Sequence, residues 1–164
     1  MAVVNSDGSN IASGTTSVAF GSITIAGGNY SHSEGLNTYA SGLASHAEGE
    51  ETTASNRSAH AEGNSSSASG NASHAEGDTS SASGSASHAE GSNAVAIGDN
   101  SHAEGQNTEA IGTASHAEGF ITTLCLTTNI KRAEQKLVEL DNEILKLEEE
   151  LEEELTKLEK EIDK

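Results

Sequence analysis

The sequence predicts a β solenoid joined to an α-helix: a parallel β-roll of 14-residue coils over residues 1–119, a neck or connector over 120–129, and a coiled-coil stem over 130–164. Three observations predict it. Glycine recurs every seven residues from Gly14 to Gly119. Histidine recurs every fourteen, from His32 to His116. From Ile130 onward, apolar residues fall at spacings of three and four. Repeats of this regularity decide the fold before any local propensity does.

The seven-residue unit comes first. Of the sixteen phase positions from 14 to 119, fifteen are Gly and one is Asn56. Asn is a frequent non-glycine residue at left-handed backbone angles, so the phase position is expected to be a turn with φ above zero. Two residues before each phase position stands Ala, with Ser33 the one substitute. Two residues earlier again is usually Ser or Thr, as in Ser17, Thr24, Ser31 and Ser45. The unit reads small-x-Ala-x-Gly-x-x, and period-two alternation makes it a short strand. Its Ser/Thr and Ala positions share one face, and only a very flat interior suits side chains so small. A coiled coil is excluded by a Gly in every heptad, at about 1 kcal/mol each relative to Ala. Collagen is excluded because Gly is not every third residue and Pro is absent.

The fourteen-residue period lies on top. The seven histidines, His32, His46, His60, His74, His88, His102 and His116, are each followed two residues later by Glu: Glu34, Glu48, Glu62, Glu76, Glu90, Glu104 and Glu118. Intervening units carry other pairs around Ala, such as Tyr39/Ser41, Ser67/Ser69 and Val95/Ile97. One coil is therefore a SHAEG strand, a turn, an ASG-type strand and a turn. Eight coils stacked about 4.8 Å apart give a roll roughly 38 Å long.

Composition narrows the class. The 164 residues include no Trp or Pro, two Phe, two Tyr and one Cys, too few large side chains for a conventional core. The net charge of −18, with eight Lys plus Arg, argues against a nucleic-acid partner. No apolar run is long enough to cross a bilayer. The opening MAVVNSDGSN lacks the basic-then-apolar pattern of a secretory signal, so the expectation is a piece of a longer protein or a chain that travels without that signal. Cys125, between Leu124 and Leu126, reads as a small apolar residue, and one Cys forms no intrachain disulfide. Arg57 reads as an exposed turn residue.

After Gly119 the β-branched stretch FITTLCLTT (120–128) reads as a last strand or neck. The stem follows. Its apolar positions, Ile130, Ala133, Leu137, Leu140, Ile144, Leu147, Leu151, Leu155, Leu158 and Ile162, form a heptad seam with one four-residue insertion near Leu151. The helix would be about 50 Å long. The acidic run Glu148–Glu150 and Glu152–Glu154 reads as a solvated outer face.

The units AVAIGDNS (94–101) and EAIGTAS (109–115) resemble the head repeats of YadA-like trimeric autotransporter adhesins, and the SHAEG units resemble a variant found in surface and phage tail-fibre proteins. The resemblance covers about 12–119. It implies a left-handed β-roll, three chains side by side as a homotrimer, and a coiled-coil stalk behind the head. It also implies a non-enzymatic, adhesive role outside the cell, on a cell surface or a virion fibre, toward a ligand on a host cell, matrix or other surface that the sequence does not name. Two departures stand out: no recognisable neck motif lies between Gly119 and Ile130, and most coils carry His and Glu where the family more often has Val and Ile.

His and Glu at i and i+2 point to one outer face, so stacking makes two adjacent ladders. Three placements follow. Facing the trimer axis, His of one chain meets Glu of the next, and the ladder residues together with Ile130, Leu137, Leu140, Ile144, Leu147, Leu151, Leu155, Leu158 and Ile162 form the interface. This is the preferred reading, because a uniform environment explains a uniform ladder. Facing water, the alternate strands with Ile25, Val95, Ile97 and Ile111 form the interface, although Glu109 speaks against it. As a metal array, the seven histidines serve as ligands. This is the least favoured of the three, and no cofactor is expected. A spacer module of a phage tail fibre, and an assembly module responsive to metal or pH, are the alternative functions. No catalytic residue is expected: Ser31 and His32 are strand neighbours on opposite faces and cannot act together.

Overall fold

The structure, a computed structural model, describes residues 3–4, 9–124, 136–148 and 150–152. The chain divides into two compact units, Met1–Cys125 and Leu126–Lys164.

The first unit is a parallel β-roll. One stack holds β1 (Val3–Val4), β3 (Val18–Ser22), β5 (His32–Leu36), β7 (His46–Glu50), β9 (His60–Ala61), β11 (His74–Asp78), β13 (His88–Ser92) and the start of β15 (His102–Ala110). The other holds β2 (Ile11–Ala12), β4 (Ile25–Ala26), β6 (Tyr39–Ala40), β8 (Thr53–Ala54), β10 (Ser67–Ala68), β12 (Ser81–Ala82), β14 (Val95–Ala96) and the end of β15. The last strand, β16 (His116–Leu124), pairs with β15 along both parts. Neighbours are parallel, and from β2 onward residue i meets residue i+14, as in His74↔His88 and Ala82↔Ala96, while β1 meets β3 one residue out of that phase, Val3↔Val18. About eight coils of fourteen residues result, as the repeat predicts.

The interior is as thin as the small residues require. Ala19, Ala26, Ala40 and their equivalents to Ala117 are 0–1% exposed. The largest fully enclosed side chains are threonines: Thr24, Thr38, Thr52 and Thr108. Hydroxyls are suited to this space because turn carbonyls lie within reach. Ser17 Oγ donates to Gly14 O at 2.7 Å, Ser31 Oγ to Gly28 O at 2.7 Å, and Ser73 Oγ to Gly70 O at 2.8 Å. From the other stack, Ser66 and Ser80 reach Gly77 O and Gly91 O, each at 3.1 Å. Ser33, the substitute for Ala, shares a 2.8 Å hydrogen bond with the Thr38 hydroxyl. These buried hydroxyls are thereby paired, whereas those of Ser101, Thr108 and Ser115 have no hydrogen-bond partner among the described residues.

The turns correct one expectation. Asn56 is not at a positive φ; the left-handed residue of that turn is Ser58, two positions on, at φ 53°. A left-handed residue stands two positions after the phase position at every turn from Thr16 to Ile121, while the phase residue itself has the expected positive φ at Gly21, Gly35, Gly49, Gly63, Gly77, Gly91, Gly105 and Gly119 but not in the alternate turns. The glycine phase has two other causes. After the histidine strands the backbone opens to unusual angles, φ +101° at Gly77. After the alternate strands φ is ordinary, but consecutive coils touch: a Cβ on Gly84 would collide with the carbonyl oxygen of Gly98. At Asn56 the side chain supplies compensating bonds, Nδ2 to Ser69 O at 3.1 Å and Arg57 N–H to Oδ1 at 2.8 Å. Arg57 itself is exposed.

The second unit contributes one described helix, α1, over residues 136–148 and 150–152. Its seam residues Leu137, Leu140, Ile144, Leu147 and Leu151 are 49–70% exposed. Lys146 and Glu150 form an i,i+4 ion pair at 3.6 Å. Ile130, Ala133, Leu155, Leu158, Ile162 and Cys125 lie outside the described residues. Among those described, no helix is long and apolar enough to cross a membrane.

Candidate functional site

The fourteen-residue register brings all seven histidines into one column. Successive rings from His32 to His116 are stacked with centroids 4.6–4.8 Å apart and planes within 2–4°. The cause lies in the backbone: Ala and Ser/Thr point inward, so the residue before Ala must point out, and parallel pairing puts like beside like. The glutamates form a second column alongside, since i and i+2 share a face.

Every imidazole meets carboxylate. His Nε2 lies 3.4 Å from Glu34 at His32, 3.6 Å from Glu48 at His46, 3.5 Å from Glu90 at His88, 3.6 Å from Glu104 at His102, and 3.9 Å from Glu118 at His116. In the middle of the ladder one imidazole faces two coils. His60 Nε2 is 4.0 Å from both Glu48 and Glu62, and His74 Nε2 is 3.6 Å from both Glu62 and Glu76. The side chains of His46 to His102 are 33–35% exposed, yet the Nε2 atoms of His46, His60, His74, His88 and His102 are shut off from solvent and have no hydrogen-bond partner.

This crowding shifts protons. Burial, followed by the charge of the adjacent rings, holds His46, His60, His74 and His102 below the usual imidazole range. Glu62 goes the other way, up to about 7, because it shares a proton with Glu48, is partly desolvated, and has Glu76 on its far side. Glu48, accepting that proton, is held low. Like-charged carboxylates one strand apart cannot all ionise freely.

Beside the Glu column runs a groove of about 710 Å³, lined by Glu34, Glu48, Glu62 and Glu76, by the glycines that follow them, and by Phe20. Phe20 marks a feature that keying the repeat on histidine misses. Val18 and Phe20 pair with His32 and Glu34, so they form the rung of the same ladder before His32, with Phe20 61% exposed. The signal was present: Val18 and Phe20 lie fourteen residues before His32 and Glu34.

The opposite face carries no uniform ladder; its outward column runs Ile11, Ile25, Tyr39, Thr53, Ser67, Ser81, Val95 and Glu109. Ile97 and Ile111, expected as possible packing residues, are exposed. Serines beside the histidines do not meet them. Ser31, Ser45, Ser73 and Ser87 turn their hydroxyls inward to the carbonyls of Gly28, Gly42, Gly70 and Gly84.

The family model for the YadA head domain repeat matches residues 12–31, 75–101 and 89–115. No curated protein matches the chain.

Proposed function

We propose that the chain, whose β-roll matches the YadA head repeat model over parts of its length, is the head and stem of a homotrimeric adhesive fibre on a cell surface or virion. It presents a repetitive surface to a host cell, matrix or other surface and performs no catalysis. The observation that carries this reading is the roll's interior, in which no fully enclosed side chain among the described residues exceeds threonine. A roll with so little apolar burial gains from lateral association, since trimerisation stabilises only the folded state.

Two surfaces supply that association. One is the His–Glu ladder, where an imidazole N–H of one copy donates to a Glu carboxylate of the next. The other is the seam of α1, whose apolar positions are exposed in a single chain and suit coiled-coil packing. Sedimentation should give about 50 kDa, three times 16.7 kDa. His74→Ala with His88→Ala should lower the melting temperature, and unchanged melting would remove the ladder from the interface. Adhesion follows from saturable binding of the assembled fibre to cells or immobilised matrix. Absence of such binding would favour the second reading, a tail-fibre spacer, which the sameness of successive coils also suits.

A further inference from the structure

We propose that the His–Glu ladder binds divalent transition-metal ions of the zinc class, each site made of one imidazole and two carboxylates from successive coils. The proposal holds whether the ladder faces a second copy or water.

Ligand identity and spacing carry it. Glu34, His46 and Glu48 form one such set, and Glu48, His60 and Glu62 the next, while His74/Glu76/His88, His88/Glu90/His102 and His102/Glu104/His116 bring two histidines to one glutamate, each group's ligand atoms lying within 4.8 Å of one another. His74 has the same surroundings, with Glu62 and Glu76 oxygens both at 3.6 Å. Zinc bonds of about 2.0–2.1 Å in a tetrahedron place ligand atoms roughly 3.3–3.4 Å apart. The imidazole–carboxylate separations seen around His60 and His74, 3.6–4.0 Å, and the remaining ligand separations of up to 4.8 Å, are closed by rotation of flexible Glu side chains. The shut-off Nε2 atoms, without hydrogen-bond partners and turned toward carboxylates, supply the second observation. A neutral imidazole has its lone pair available for an ion, and an ion between two carboxylates offsets their repulsion.

The stacking limits how the site is built. Neighbouring rings are parallel and 4.6–4.8 Å apart, so their lone pairs run side by side and do not converge on one ion. One site therefore takes a single histidine, with carboxylates closing from either side. Glu48 and Glu62 each turn one oxygen to the histidine of their own coil and the other to the next. Adjacent sites share a carboxylate, and the ions form a row at the coil spacing. The mixed nitrogen and oxygen donors select zinc, nickel, cobalt or copper over calcium or magnesium. The fourth position is left to water or to a donor from another chain.

The test uses the untagged full chain, stripped with chelator and titrated with zinc, cobalt and calcium in calorimetry and equilibrium dialysis with elemental analysis. More than one zinc per chain, a rise in melting temperature, and visible absorption of cobalt in low-symmetry nitrogen–oxygen coordination are expected. Glu62→Gln, isosteric and shared by two sites, should lower the zinc stoichiometry, as should His60→Asn, while Glu109→Gln on the opposite face should not. Failure to retain zinc would overturn the proposal. So would calcium binding as tightly as zinc, or stoichiometry unchanged in both ladder variants, which would place the ions on the stem glutamates.

Discussion

The left-handed turn residues show how far a stacked backbone overrides individual preference. Thr16, Ile23, Thr79 and Ile121 are β-branched, yet they hold φ between 52° and 58°. Such residues rarely accept these angles. The position is imposed by a coil-to-coil bond: the Thr79 N–H donates to Asn64 O at 2.8 Å, as Ala72 does to Arg57 O. Asn holds this position at Asn37, Asn93, Asn100 and Asn107, but Thr, Ile, Tyr, Ala, Glu and Ser hold the rest, so the Asn signal was diluted, whereas the conspicuous glycines drew attention to a phase position that is left-handed only after the histidine strands. Thr79→Asn should raise stability by about 1 kcal/mol in denaturant titration. It would also extend a row of asparagines in which Asn93 Nδ2 donates to Asn107 Oδ1 at 2.8 Å. A second residue-scale outcome concerns Glu62, whose carboxyl keeps its proton up to about 7 in the fold. Its folded value exceeds its unfolded one, so its contribution is full below about 4.5 and is lost as pH rises through 7. In metal-free protein, Glu62→Gln should raise the melting temperature at pH 8 and change it little at pH 5.

At the scale of the strand, the fold was legible because its two periods are rigid. Ala at every second inward position, Gly every seventh and His every fourteenth residue together fix face, turn and stacking, and the structure keeps that register from His32 to His116. What escaped was what the pairing adds. Histidine strands such as β11 run for five residues, against two for β12, because the ladder continues through Gly77 to Asp78. The close approach of consecutive turns also has no sequence signature apart from the glycines it requires. Gly84→Ala should therefore cost about 3 kcal/mol or more, since the added methyl meets the Gly98 carbonyl and no flexible side chain can yield. Circular dichroism melts would measure it, and an unchanged midpoint would mean the coils can part. In α1 the helix was legible from spacing alone, and Leu140→Asp with Leu147→Asp should reduce the sedimenting mass if the exposed apolar face pairs with other copies.

At the scale of the whole roll, stability is a sum over neighbouring coils, as in other solenoids. Removing one full coil, residues 65–78, should leave His60 stacked on His88 and lower the melting temperature by only a few degrees. Removing seven residues, 65–71, exchanges the two stacks beyond the cut and should abolish cooperative unfolding. The contrast tests whether the fourteen-residue phase, and not the glycine spacing alone, defines the repeating unit.

The direction of the backbone bonds has a mechanical consequence. Because the strands lie across the stack and their N–H···O bonds run along it, a pull along the stack loads one coil's bonds at a time and not all together. The roll should yield as a zipper does, at modest force and in even steps. Each released coil would add about 45 Å of slack, fourteen residues of extended chain less the coil spacing. A tether that lengthens in such increments dissipates a sudden load before the attachment at its end must bear it.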